Sequence, residues 1–371
     1  MIKKICVMTS AHNPFDVRIY HKEIKTLLTS GYDVSLIAQC DKRCCFEDIR
    51  FFPIAPASHR FARFFSVMPK IIVAAFRQKA DAYHFHDPDL IIAGLLLKIF
   101  TSSKVIYDVH EDVPKQILSK AWIPSFARKL ISFIFGLPEK NIAKTFDAVI
   151  VATPSIAKGF GGDKTVCVAN YPKLEYFNDI IDQKKERLSP EFRVIYAGGL
   201  DGIRGIKEIV KAYDLIKDVN NIKMVLVGPF SDETFKKELS ESDGWNKVDY
   251  LGVLPLRDAY KQMAAADAGL VCFLPEPNHT EALPNKIFEY MAAGIPVIAS
   301  DFPLWKEIIE GNDCGICINP NDPEAIAHAI ESLAKQSGRA KKMGKNGRMA
   351  VKNKYNWAVE EKKLLFLYAN L

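Results

Sequence analysis

The chain has 371 residues, 49% of them hydrophobic and 25% charged, which suits a globular protein of two domains and excludes a disordered or fibrous one. No apolar run reaches the ~20 residues of a membrane span; the longest, LIIAGLLLKIF, carries a Lys, and MIKKICVM is too short in its apolar part for a signal peptide. The net charge of +6 is uneven, with 27 Lys+Arg against 19 Asp+Glu up to residue 188 and 23 against 25 beyond it.

IKKICVMTS is the first expected strand, followed by the amphipathic helix FDVRIYHKEIKTLLTSG, which ends on Gly31. YDVSLIAQ, AYHFHDP, KVIYDVH and FDAVIVAT follow as strands with helical stretches between them, and TVCVAN ends the series. Residues 171–190 are polar and read as a linker. Alternation then restarts with FRVIYAGG, a helix over about 204–217, IKMVLVGP, VDYLGV, a helix over RDAYKQMAAA, GLVCFLP, a helix over 284–293, PVIASD and GICIN. Strands alternating with helices imply parallel sheets covered on both faces. The fold class is therefore α/β, two Rossmann-like domains with parallel sheets facing a central cleft. Their expected bounds are 1–170, the linker 171–190, 191–354, and a C-terminal helix over 355–371 that packs back towards the first domain.

Eight Cys in such a chain make no disulfide framework and suggest a reduced, cytosolic protein. Cys314-Gly-Ile-Cys317 reads as a buried strand, and Cys44-Cys45 is unpaired by any pattern.

Ligands of open parallel sheets bind outside the carboxyl ends of the strands. That rule selects the loops Thr9–Asp16, His84–Asp89, Asp108–Asp112, Gly198–Arg204, Gly228–Pro229, Gly252–Pro255 and Pro275–Lys286. In TEALPNKIFEYMAAGIPVIASD, Pro284 suits a first helical turn and Gly294 a helix end. Glu281 then lies in the loop before the helix and Glu289 about a turn and a half inside it. A helix start is a seat for phosphate, and carboxylates on either side accept from hydroxyls. A sugar nucleotide has that pattern of groups.

EALPNKIFEYMAAGIPVIASD resembles the E-x7-E segment of the retaining GT-B glycosyltransferases of the fourth sequence family. YLGVLPLRDAYKQMAAADAGLVCFLP resembles their preceding nucleotide-binding segment. HNPFDVRIYHKE, HFHDPDL and YDVHED resemble a branch of that family found in bacterial surface-polysaccharide clusters. The resemblance implies that Glu289 accepts from the ribose hydroxyls and Glu281 from the donor sugar. The backbone at Leu283, Asn285 and Lys286 would meet the distal phosphate, and Gly198, Gly199, Gly228 and Leu254 would complete the donor side. Where the family has Gly in the 283–286 loop, this chain has Leu283-Pro284-Asn285-Lys286. The family's basic residue after the first Gly of its 198–204 counterpart is here Gly199. Arg204, helped by Lys286, would therefore carry the phosphate charge.

By the same resemblance His110 reaches the donor sugar, so His110, Glu281 and Asp16 are the catalytic candidates. Asp16 has a second reading as a helix cap. His12 and His86 are acceptor-side candidates. HFHDPD has the look of a metal motif, but GT-B enzymes need no such site, so Asp87-Pro88-Asp89 reads as a turn and helix start. No metal and no cofactor are expected.

The expected reaction is retaining transfer of a hexose or N-acetylhexosamine from a nucleotide diphosphate sugar, UDP-sugar first and GDP-mannose second. The expected acceptor is a glycan or polyprenyl-diphosphate-linked chain at a surface-polysaccharide pathway. SHRFARFFSVMPKIIVAAFRQK has five Lys/Arg and no acid. KQILSKAWIPSFARKLISFIFGLPEKNIAK has six against one acid, with Trp122 and several Phe. Such basic-aromatic faces suit an anionic membrane surface, which places the protein on the cytoplasmic face of the inner membrane. Nucleic acid is not an expected partner. Two alternatives remain: a hydrolysing sugar-nucleotide epimerase of the same fold, and a non-catalytic membrane-associated subunit. The absence of GxGxxG after the first strand argues against a dinucleotide dehydrogenase.

Overall fold

The computed structural model describes residues 2–41, 46–57, 63–120, 123–182, 191–216 and 221–371. Cys44, Cys45, Trp122, residues 58–62 of the first basic stretch and residues 183–190 of the expected linker lie outside the described residues. The chain divides into two compact units: Met1–Asn170 together with Trp357–Leu371, and Tyr171–Asn356.

The first unit is built on β1 (Lys4–Met8), β2 (Asp33–Gln39), β3 (Arg50–Ile54), β4 (Ala82–Phe85), β5 (Lys104–Val109), β6 (Ala148–Val151) and β7 (Thr165–Cys167). These form one parallel sheet in the order β3-β2-β1-β4-β5-β6-β7. The strands β4 and β6 are buried along their whole length, which is why β6 reads as an unbroken apolar run and β4 departs from one only at His84. β3 was not among the expected strands. It contains Pro53, which has no N–H for a ladder, and the structure places it at the sheet edge where that loss costs least.

Each face of this sheet buries its own apolar cluster, one around Phe85, Tyr107 and Phe146, the other around Ile5, Leu36 and Ile106. The second cluster includes Trp357, Leu364 and Tyr368 from the C-terminal helix Trp357–Ala369. Trp357 Nε1 donates to Thr26 Oγ1 at 2.9 Å, which fixes that helix on the first unit.

The second unit carries β8 (Phe192–Ala197), β9 (Ile222–Val227), β10 (Val248–Tyr250), β11 (Ala268–Val271), β12 (Val297–Ser300) and β13 (Gly315–Ile318). They form a parallel sheet in the order β10-β9-β8-β11-β12-β13. The stretch expected to be a linker starts as packed structure: Glu175–Asp182 is a helix, and its Phe177 is fully buried in this unit's core. Cys314 is buried and Cys317 half-buried on or beside β13, with no metal set around them among the described residues. Cys40 is disulfide-bonded, which departs from the expectation of a reduced chain.

The two sheets share one property that positions chemistry. From β1 the chain continues to β2 on one side, and β4 lies on the other; from β8 it continues to β9, and β11 lies on the other side. Each sheet therefore has a switch point, β1/β4 and β8/β11, where the loops at the carboxyl ends diverge and leave a crevice.

Candidate functional site

The crevice of the second unit is walled by the loop after β8 and the long loop after β11. Gly198 and Gly199 begin the first of these. Gly198 has φ +147°, and a Cβ there would fall on the Lys286 side chain. A Cβ at Gly199 would strike the Arg204 guanidinium. The two glycines thus let two cations lie directly against the backbone, where a Cβ would push either side chain aside. Gly228, after β9, also has positive φ and sits against the Gly198 carbonyl, so the third glycine supports the turn of the first.

Arg204 is held from both ends by Asp201. The Asp201 carboxylate accepts from the Arg204 backbone N–H at 2.9 Å and lies 3.2 Å from its Nε. Arg204 Nη1 donates to the Gly199 carbonyl at 3.2 Å. The helix expected over about 204–217 is a short 3-10 turn, Gly202–Arg204, then a helix at Ile206–Leu215 with Gly205 at φ +72° between them.

Lys286 has no hydrogen bond or carboxylate partner among the described residues. Its ammonium lies over the rings of Tyr196, at 5.6 Å, and Phe273, at 5.8 Å. Burial, and then the nearby Arg204, lower its pKa to about 8. Among the described residues Asp201 pairs with Arg204 only, so an anion placed between the two cations would relieve their mutual repulsion.

Lys286 is in the first turn of the helix Asn285–Ala293, for which Pro284 is the N-cap and Gly294, at φ +77°, the C-terminal turn. The helix start has no side-chain cap. First-turn amides have no acceptor within the helix, so those of Asn285 and Lys286 are free of helical partners. Glu289 follows on the same helix and accepts from Tyr260 OH at 3.3 Å. Glu281 is exposed in the loop before it; the Ala282 carbonyl accepts from Trp305 Nε1 at 2.8 Å and pins that loop. Leu254 and Leu283 are half-buried against the core of this unit. The structure thus brings Gly198, Gly199, Arg204, Gly228 and Lys286 together and puts Glu281 and Glu289 on either side of the helix start.

In the first unit the β1/β4 crevice gathers a second set. Asp87, just after β4, accepts from Thr9 Oγ1 and the Ser10 N–H, both at 2.6 Å, and from the Ala11 N–H at 3.1 Å. It also pairs with His12 Nδ1 at 2.9 Å. Burial alone would raise the Asp87 pKa; these bonds hold it well below the usual carboxylate range. Burial likewise works against a charged His12, but Asp87 outweighs it and the His12 pKa is raised. His12 Nε2 meets His110 Nε2 at 3.0 Å. A hollow of about 520 Å³ opens beside His12, lined by Ala11, Asn13, Phe15, Gln39 and Asp41 among others.

Asp16 does what a cap does: its Oδ1 accepts from the N–H groups of Arg18, at 2.8 Å, and Ile19, at 3.0 Å. His86 departs from expectation. Its side chain is fully buried beneath the crevice, between Glu23 and Asp108, and no acceptor can reach it there. Asp87-Pro88-Asp89 forms the turn and helix start read from the sequence, with a 3-10 turn at Pro88–Leu90 leading into the helix Ile91–Phe100.

Sequence reasoning missed Asp87, Asp201, Tyr196 and Phe273. Each acts by holding another residue rather than by matching a motif, so only the spatial neighbourhood reveals it.

Residues 177–350 match the family model described as glycosyl transferases group 1. The capsular polysaccharide biosynthesis glycosyltransferase CapM of Staphylococcus aureus is 20% identical over 93% of this chain and 92% of its own length. The O-antigen chain mannosyltransferase B of Escherichia coli is 25% identical over 62% of this chain and 55% of its own. Among solved structures, a sucrose-phosphate synthase of Thermosynechococcus elongatus superposes with a TM-score of 0.80, at 20% identity and over 99% of this chain and 98% of that one. HepE of Anabaena, solved in complex with UDP, superposes with a TM-score of 0.76 at 16% identity, over 99% and 100%. Two parallel-sheet Rossmann-like units give the chain the GT-B fold, and its second unit carries the match to the glycosyl transferases group 1 model.

Proposed function

We propose that the protein is a retaining, fourth-family-type glycosyltransferase that takes a hexose or N-acetylhexosamine from a nucleotide diphosphate sugar. The observation that carries this is the pair Lys286 and Arg204, packed on Gly198 and Gly199 beside an uncapped helix start. Two cations and free amides around a glycine turn are what a departing diphosphate needs. In this reading Glu289 accepts from the ribose hydroxyls and Glu281 from the donor sugar. His110 keeps the catalytic role implied by the resemblance, with His12 as its partner. Asp16 orders the start of the first helix. The leaving group is stabilised by this chain's own cations, and no metal acts on the donor.

UDP-sugar is the favoured donor and GDP-mannose the second. UDP and UDP-glucose are the ligands of the solved HepE complexes, and a mannosyltransferase is among the relatives. A hydrolysing epimerase or a non-catalytic subunit is less favoured, because the matched domain and the relatives are glycosyltransferases.

The acceptor is proposed to be a lipid-linked or growing surface-polysaccharide glycan, met on the cytoplasmic face of the inner membrane. No helix among the described residues is long and apolar enough to cross a membrane. The helix Ser125–Ala143 instead exposes Phe126, Leu130, Phe133, Ile134 and Phe135 near Arg128 and Lys129. An exposed apolar row with basic residues suits an interfacial helix. Incubation with UDP- and GDP-sugars and a polyprenyl-diphosphate-linked acceptor tests the reaction. A product whose anomeric coupling constant matches that of the donor supports retention; an inverted product overturns it.

A further inference from the structure

Four side chains of metal-ligating type meet inside the first unit, away from the donor cradle. They are Glu23, His84, His86 and Asp108, and all are buried. His84 and His86 lie two residues apart on and just after β4, so they face the same side, and their rings stack at 4.6 Å. Asp108 comes from the neighbouring strand β5, and Glu23 from the irregular helical turn Ile19–Ile24.

The separations are informative. His84 Nε2 lies 3.6 Å from Asp108 Oδ2 and 3.9 Å from Glu23 Oε2, and His86 Nε2 lies 3.6 Å from Glu23 Oε2. These are too long for hydrogen bonds. Glu23 Oε2, His84 Nε2 and both ring nitrogens of His86 have no hydrogen-bond partner, although they are fully buried. Buried polar atoms almost always have partners, so several orphans around one point call for a missing group. Ligands bound to one ion at ~2.0–2.2 Å stand roughly 3.4 Å or more apart, which is the spacing seen.

The surroundings suit ligation. His84 Nδ1 is bonded to Tyr368 OH at 2.9 Å, which orients the ring and leaves Nε2 facing the other three residues. Arg18 bridges the two carboxylates, with Nη2 at 2.8 Å from Asp108 Oδ2, the oxygen that also faces the histidines, and Nε at 2.9 Å from Glu23 Oε1. One guanidinium faces two buried carboxylates, and a bound cation would balance the second of them once it is ionised.

We propose that Glu23, His84, His86 and Asp108 bind one divalent first-row transition ion of the zinc class. Two imidazoles and two carboxylates are ligands of that class rather than of calcium or magnesium. Four protein ligands and no solvent access make it a closed, structural site. It would tie β4, β5 and the first helix together beneath His110, whose Nδ1 is 3.7 Å from Asp108 Oδ1. The ion is distinct from any donor-site metal, and the proposal stands independently of the donor assignment.

The test is elemental analysis of the full chain, with its affinity tag removed, before and after chelation and after dialysis against Zn²⁺. The expected content is about one ion per chain, with Tm falling by several degrees on chelation and recovering with Zn²⁺. His86→Gln should reduce the content to background. Should that variant fail to fold, Glu23→Gln, which keeps the side-chain shape, should weaken zinc uptake at least tenfold. Absence of bound ion before and after dialysis, with an unchanged Tm, would overturn the site and leave a protonated side-chain network. Metal content that both variants retain in full would equally overturn it.

Discussion

The Lys286 side chain lies against Gly198, the first glycine of the β8 loop, in the space that a Cβ there would take. Gly198→Ala is expected to displace Lys286 and to strain a backbone at φ +147°. We expect a stability loss of about 1–3 kcal/mol together with weaker nucleotide binding. Calorimetric titration with UDP, alongside thermal unfolding, reads both; an alanine variant with unchanged affinity would contradict the packing argument.

Lys286 makes a pH prediction with two opposite signs. Its pKa in the free protein, about 8, is below the ordinary lysine value, so the folded state binds the proton less tightly than the unfolded chain. This group's contribution to stability therefore rises with pH between about 8 and ~10.4, the unperturbed lysine value. Diphosphate affinity should fall over the same rise, because the ammonium is lost. Lys286→Gln should remove the pH dependence of binding and lower turnover by roughly 10²–10³-fold, the usual scale for one preorganised charge donor. Affinity that is flat across pH in both proteins would exclude Lys286 as a phosphate ligand.

In the first unit, the raised pKa of His12 has the opposite consequence for stability. The folded state holds this proton more tightly than the unfolded chain does. The contribution is complete below about 6.5, the ordinary histidine value, and is lost as pH rises through the higher folded value. Asp87→Asn should remove it and free the Thr9–His12 loop, since Asp87 holds that loop through four further donors. Tm measured against pH should decline more steeply in the wild type than in the variant above pH ~6.5. Equal slopes would show that His12 is not protonated through Asp87.

Phe126, 86% exposed, and Phe133, 64% exposed, are on the helix Ser125–Ala143. Replacing both with Glu is expected to abolish sedimentation with anionic phospholipid vesicles without lowering Tm, since neither side chain is in the core. Binding to neutral vesicles should be weak in the wild type and should fade with salt for anionic ones. Undiminished vesicle binding by the double variant would remove this helix from the membrane account.

Much of the architecture was legible from periodicity and punctuation. Gly294 ends its helix at positive φ as its place after MAA implied, and β4 reads as AYHF because both its faces are covered. Pro53 hid β3 for the same reason that it tolerates a sheet edge. The crevice of the second unit was legible as a set of loops at strand ends, and Lys286 and Arg204 as two cations within it. That Gly198 and Gly199 exist to admit those two side chains needed coordinates. Least legible was the interior of the first unit. Strand order, not spacing, brings Glu23 and Asp108 beside His84 and His86, and strand order is a property of the whole sheet. His86, read as facing an acceptor, is buried because β4 is a central strand.

The central claim is that the helix start at Asn285, with Glu289 behind it, holds a nucleotide sugar. Thermal shift with a panel of UDP-, GDP- and ADP-sugars, in wild type and in Glu289→Ala, tests this most directly. The account predicts stabilisation by one donor class, with the variant losing about 1–3 kcal/mol of binding, the scale of an unpaired buried polar group. A folded wild-type protein that no donor stabilises, or a variant that binds its donor undiminished, would contradict it.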